Sequence, residues 1–239
     1  MKRLLFNLVL LTTLFATHCS KSIDTVQNIP PPVPNPNAPL PKTYLALGDS
    51  YTIGQSVAIS ERFPAQTVAG LRNMGISLAE PEYIAVTGWT TDNLFAAISA
   101  NYPSRTYDVV SLLIGVNDQY QRHDTLGYRG RFLLLLNTAT ALARGNKSHV
   151  FVLSIPDYSV TPFAASLDTA LIRNEINWFN SINRSLAIEQ SYTYLDITPS
   201  TREALNDPTL IANDGLHPSG KEYAKWAMWL TQLMFPVLR

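Results

Sequence analysis

The sequence predicts an α/β fold, a three-layer α/β/α sandwich on a five-stranded parallel sheet. Two observations carry this expectation. Five short apolar runs bounded by turn residues read as strands, at 43–48 (TYLALG), 82–87 (EYIAVT), 108–114 (DVVSLLI), 149–155 (HVFVLSI) and 192–197 (YTYLDI). Amphipathic segments alternate with them at 60–74, 91–100, 127–144, 169–189 and 219–234, their apolar residues three and four apart, as in Tyr223, Trp226, Leu230 and Leu233. Parallel neighbours need a crossover, and the crossover helices cover both faces of the sheet. The five-residue apolar run Phe132 to Leu136 reads as a buried helix face, and Trp226, Met228 and Trp229 as core and helix surface.

Composition narrows the function classes. Lys+Arg and Asp+Glu both number 18, so no strongly basic surface points to nucleic acid. Hydrophobic residues make up 46% of the 239, as in an ordinary globular chain. Residues 43–239, about 200 in number, suit one domain with a sizeable core.

The N-terminal region reads differently. Lys2 and Arg3 precede an apolar run from Leu4 to Ala16, the length of a signal-peptide core and short for a membrane span, so 1–18 is read as a signal peptide. Cys19, the single cysteine, follows at once. Its place resembles the lipobox of bacterial lipoproteins, in which the cysteine becomes the diacylated first residue of the mature chain. Ala16 and His18 stand where that pattern has Leu and a small residue. The expectation is therefore an exported lipoprotein anchored to the cell envelope, periplasmic or surface-facing; ordinary secretion and a retained anchor are the alternatives. Residues 19–42 form a linker, in which Pro30, Pro31, Pro32, Pro34, Pro36, Pro39 and Pro41 exclude helix and favour extended geometry.

An open parallel sheet carries its chemistry outside the carboxyl ends of its strands. After the first strand stands Gly48-Asp49-Ser50; after the second, Gly88; after the third, Gly115-Val116-Asn117-Asp118; after the fifth, Asp214-Gly215-Leu216-His217-Pro218. These residues resemble, block by block and in order, the SGNH (GDSL) hydrolases, whose name records a Ser, a Gly, an Asn and a His. The likeness spans 43–235, with Tyr51 where the family often has Leu. It implies a flavodoxin-like SGNH hydrolase fold and a serine esterase acting on an acyl ester substrate, without cofactor or metal.

The resemblance assigns roles that acyl-transfer chemistry explains. Ser50 is the expected nucleophile and His217 its base, with Asp214 orienting the imidazole and stabilising it once charged. The Ser50 and Gly88 backbone N–H groups and the Asn117 carboxamide are the implied oxyanion donors. Gly88 suits this because a missing side chain lets backbone approach substrate. Blander readings stand beside these: Ser50 as a helix cap, Asp214 and Asn117 as turn residues. His123 is a weaker rival for the base, His149 is read as structural, and Asp49 and Asp118 as local hydrogen-bonding partners. The segment 156–163, with Tyr158 and Phe163, is expected to line the cleft, as is Tyr120. Those rings suit an acyl chain or a sugar, so lysophospholipase-like, thioesterase-like and carbohydrate deacetylase-like activities all fit. A glycan O-acyltransferase on the same scaffold and a non-catalytic carbohydrate- or lipid-binding lipoprotein are the alternatives. The Gly-x-Ser-x-Gly elbow is absent around Ser50, because Thr52 takes the second glycine's place, and no zinc, phosphate-loop or dinucleotide motif occurs.

Overall fold

Five parallel strands form one sheet in the order β2-β1-β3-β4-β5. They are β1 (Tyr44–Gly48), β2 (Glu82–Ala85), β3 (Val109–Leu113), β4 (Val150–Leu153) and β5 (Thr193–Leu195). The computed structural model describes residues 40–123 and 125–239. The apolar run, Cys19 and nearly all of the proline-rich stretch lie outside these residues. Each strand falls within a predicted run. Strands β1, β3 and β4 are buried along their whole length, whereas the edge strands β2 and β5 are half-buried. Continuous apolar character in the central strands follows from coverage of both faces.

Among the described residues, eight α-helices accompany the strands: α1 (Ser50–Ile53), α2 (Phe63–Asn73), α3 (Thr91–Ala100), α4 (Val116–Arg122), α5 (Tyr128–Leu142), α6 (Thr169–Glu189), α7 (Thr198–Thr201) and α8 (Gly220–Leu238), the last two following β5. The five long ones match the amphipathic segments. Helices α1, α4 and α7 span only 4, 7 and 4 residues, too few for a helical period to register in sequence. Helix α2 packs against α8, while α5 packs against α3 and α6.

Two expectations need correction. The run Phe132 to Leu136 does not present a single buried face: Phe132, Leu135 and Leu136 are buried, but Leu134 is 43% exposed. Five consecutive helical residues turn through more than a full revolution, so one must face outward. Helix α8 runs past 234 and through Pro236. Met234 and Leu238 are buried on its inner face, and their burial offsets the N–H that proline cannot donate.

Strand β1 meets β2 on one side and β3 on the other, so strand order reverses here and opens a crevice at the carboxyl edge. Gly48 closes β1 at that edge. A Cβ there would collide with the Thr52 side chain and the Leu113 carbonyl of β3. Gly48→Ala should therefore cost about 3 kcal/mol or more, since the backbone of a central strand cannot yield. Chemical denaturation should show a lowered midpoint with an unchanged slope.

Candidate active site

The turn after β1 sets the first group. Asp49 is the N-cap of α1, its carboxyl oxygen accepting the Tyr51 N–H at 3.0 Å. Asp49, not Ser50, therefore caps the helix. Ser50 occupies the first helical position, where its N–H has no intrahelical acceptor. Its side chain is buried, with Oγ 2.9 Å from His217 Nε2. The other ring nitrogen, His217 Nδ1, lies 2.7 Å from Asp214 Oδ2. With Asp214 ionised, Nδ1 must carry the hydrogen, which leaves the Nε2 lone pair facing the serine hydroxyl. Tyr51 packs on the imidazole with ring centroids 4.9 Å apart.

The loop carrying both residues folds on Asp214. Its Oδ1 accepts the backbone N–H groups of Leu216 and His217, each at 3.0 Å, and Gly215 takes a φ of +73° between them. Partial burial opposes ionisation of Asp214. Hydrogen bonds from the Ser56 hydroxyl, these two N–H groups and the imidazole outweigh it and hold the carboxyl well below the usual carboxylate range. Asp49 behaves oppositely: full burial pushes it up to about 8, only partly opposed by the Tyr51 N–H. Burial likewise raises Asp118, against hydrogen bonds from the Thr91 backbone and hydroxyl.

Gly88 and Asn117 flank the serine. Asn117 Nδ2 donates to the Trp89 carbonyl at 3.1 Å and makes a longer contact, 3.4 Å, to Asp49 Oδ2. Gly88 has a φ of +82°, and beyond its own chain neighbours no protein atom lies within 4 Å of where its Cβ would be. Its backbone conformation, rather than crowding, calls for glycine. The predicted strand 82–87 ends at Ala85, and the Trp89 N–H bonds the Val86 carbonyl in a turn that brings Gly88 to the crevice.

A cleft of about 120 Å³ gathers these groups, lined by Ser50, Gly88, Asn117 and His217 together with Tyr120, Tyr158 and Phe163. The three rings form an aromatic wall, with centroids 5.9 to 6.2 Å apart. Tyr158 is fixed from behind, its hydroxyl donating to Gln119 Oε1 at 2.9 Å. Thr87, which carried no signal in the sequence, also lines the cleft, as do Val116 and Leu216 from within the third and fourth blocks. Of the segment 156–163, Tyr158 and Phe163 reach the cleft, while Asp157 turns away to pair with Arg202 at 2.7 Å.

Among the described residues, the other histidines, His123 and His149, do not reach Ser50. His123 Nδ1 pairs with the buried Glu175 at 2.9 Å, and His149 Nδ1 bonds the Asp108 carbonyl. His149 sits in a 3-10 turn, Lys147–His149, just before β4 rather than within it. Among the described residues, no cluster of three or more His, Cys, Asp or Glu is arranged to hold a metal ion.

A parallel α/β sheet with Ser50, Gly88, Asn117 and His217 gathered at its reversal point accords with the ester-hydrolysing class to which the family match assigns the chain. The chain belongs to the GDSL-like Lipase/Acylhydrolase family, whose profile matches residues 46–225. The solved structure of TesA superposes with a TM-score of 0.63 at 16% identity, covering 82% of this chain and 100% of that one. A lipase/acylhydrolase from Enterococcus faecalis gives 0.62 at 16% identity, over 83% and 97% of the two chains. The acetylxylan esterase Axe2 from Geobacillus stearothermophilus gives 0.58 at 19%, over 84% and 97%. At these identities the likeness is one of fold. No curated protein sequence matches the chain.

The raised Asp49 predicts a pH dependence of stability. The folded state keeps a proton that the unfolded chain releases near pH ~3.9. Stability from this group is full below that pH and is lost as pH rises through about 8. Asp49→Asn should flatten the fall in Tm between pH 5 and 9. A wild-type Tm that does not fall over that range would show Asp49 to be ionised in the fold.

Proposed function

We propose that this enzyme is a serine esterase working through a Ser50–His217–Asp214 triad and an acyl-enzyme. The observation that carries the reading is the unbroken hydrogen-bonded chain from Ser50 Oγ through the imidazole to Asp214, beside a cleft bearing donors. His217 Nε2 takes the hydroxyl proton as Ser50 Oγ attacks the ester carbonyl, and Asp214 stabilises the resulting imidazolium. The oxyanion is held by the N–H groups of Ser50 and Gly88 and by Asn117 Nδ2, whose Asp49 contact is long enough to give way. Collapse expels the alcohol, which takes the proton back from His217. Water then repeats the sequence and frees the acid.

A fluorophosphonate probe should label the protein once, and Ser50→Ala should abolish labelling and turnover. Asn117→Ala should lower kcat by roughly 10²–10³ with KM nearly unchanged, because the oxyanion exists only in the transition state. A rise in KM alone would make Asn117 a substrate-binding residue.

The cleft favours a small acyl group. Pockets for drug-sized ligands run roughly 300–1,000 Å³, against about 120 Å³ here. The exposed rings of Tyr120 and Phe163 at its mouth leave the alcohol part free to be a sugar or a lipid headgroup. In a chain-length series, acetyl and butyryl esters should exceed dodecanoyl esters in kcat/KM by about tenfold or more, roughly 1.4 kcal/mol of transition-state binding. Faster turnover of the long esters would show that the cleft opens further.

We also infer that the enzyme works as an exported lipoprotein, from the signal-like run, Cys19 and the proline-rich tether. Full-length protein in a Gram-negative host should take up palmitate and sediment with membranes, and Cys19→Ser should lose both properties while keeping esterase activity. Unlabelled, soluble wild-type protein would remove the anchor and leave the esterase.

A further inference from the structure

We propose that Ser56 is a positioning residue for Asp214: its hydroxyl pins the carboxylate oxygen that faces the His217 ring. The proposal rests on the triad reading above. Ser56 Oγ donates to Asp214 Oδ2 at 2.6 Å, the same oxygen that takes His217 Nδ1 at 2.7 Å. The other oxygen, Oδ1, is held by two backbone N–H groups. Rotation about the Asp Cβ–Cγ bond is soft. Bonds to Oδ1 alone therefore leave Oδ2 able to swing out of line with the imidazole. The Ser56 hydroxyl, a second donor on Oδ2 beside the imidazole, removes that freedom.

The backbone points to the same role. Ser56 has a φ of +66°, in the left-handed region that residues with a side chain rarely adopt. A glycine would sit there without strain, so what serine supplies is its hydroxyl. The turn is also tied to the rest of the site. Gly54 ends α1 in the left-handed conformation, and the Gln55 N–H bonds the Ser50 carbonyl at 2.9 Å. Gln55 Oε1 accepts from the hydroxyl of Thr87, the neighbour of Gly88, at 2.8 Å. One short turn thus touches the serine, the Gly88 loop and Asp214. The Asp214 side chain is 28% exposed, so without Ser56 water would compete for Oδ2 and weaken its hold on the imidazolium.

The test compares full-length wild-type protein with Ser50→Ala and with Ser56→Gly and Ser56→Asn. Ser56→Gly removes the donor and the strain together, so its Tm should equal or exceed that of wild type. Its kcat should fall about tenfold with KM unchanged, the scale of one partly exposed charge-assisted hydrogen bond. The low-field proton resonance of His217 Nδ1–H should shift or broaden in the same variant. Ser56→Asn, which tolerates the left-handed backbone and carries a donor, should recover part of the kcat and of the resonance. A Ser56→Gly variant with wild-type kcat and an unmoved resonance, beside an inactive Ser50→Ala, would overturn the role of Ser56 and leave the esterase standing. Full activity in Ser50→Ala would overturn the triad and this proposal with it.

Discussion

Strand β1 must be paired in parallel on both sides, and the remainder of the molecule is arranged around that requirement. Each parallel pairing needs a crossover: the one after β1 leads out to β2 on one side, and the one after β2 leads back past β1 to β3 on the other, so the strand order reverses at β1. Three loops then open at one edge with nothing between them. The first holds Ser50, the second Gly88, the third Asn117. Gly48 lets the chain turn there, because no side chain stands between β1, the Leu113 carbonyl and the Thr52 hydroxyl. The fourth loop, with Asp214 and His217, reaches the same edge just before α8, itself held against α2.

Electrostatics divides the carboxyls around Ser50 into two kinds. Asp214 is partly exposed and surrounded by donors, so it is a stable anion facing the imidazole. Asp49 is fully buried beside a second buried carboxyl, Asp118, and burial dominates its donors, so its carboxyl is pushed up to about 8. A full negative charge beside Ser50 would oppose the oxyanion that acyl transfer generates. An Asp49 pushed toward its neutral form caps α1 with less of that field. The same residue type thus serves opposite purposes, and the number of donors against the depth of burial decides which.

The cleft owes its shape to packing behind it. Tyr158 stands in the wall because its hydroxyl reaches Gln119 on α4, whose amide donates to the buried Glu175 of α6 at 2.7 Å. Tyr120 and Phe163 lean on it from the solvent side, each near half exposed. The inner part of the cleft is therefore braced by packing and its mouth is open.

The sequence by itself determined the sheet, its five strands, the five long helices and the loops in which chemistry would lie. Those features are periodic or punctuated: continuous apolar runs in strands covered on both faces, apolar residues three and four apart in helices, Gly and Asp at strand ends. The blocks of Ser50, Gly88 and Asn117 were legible because each closely follows a strand, and the His217 block through the SGNH resemblance, since it stands beyond α7, just before α8. Tertiary structure alone decided the rest. Helices α1, α4 and α7 are too short to show a period, and Leu134 faces outward within an apolar run because a helix presents only part of its circumference to the core. His217 rather than His123 meets Ser50 because His123 is held by Glu175, 52 residues away along the chain. Ser56, an ordinary turn residue by sequence, comes within 2.6 Å of Asp214 across 158 residues. Local sequence records what a residue does to its own backbone, whereas contacts between distant segments exist only once the sheet has brought their loops to one edge.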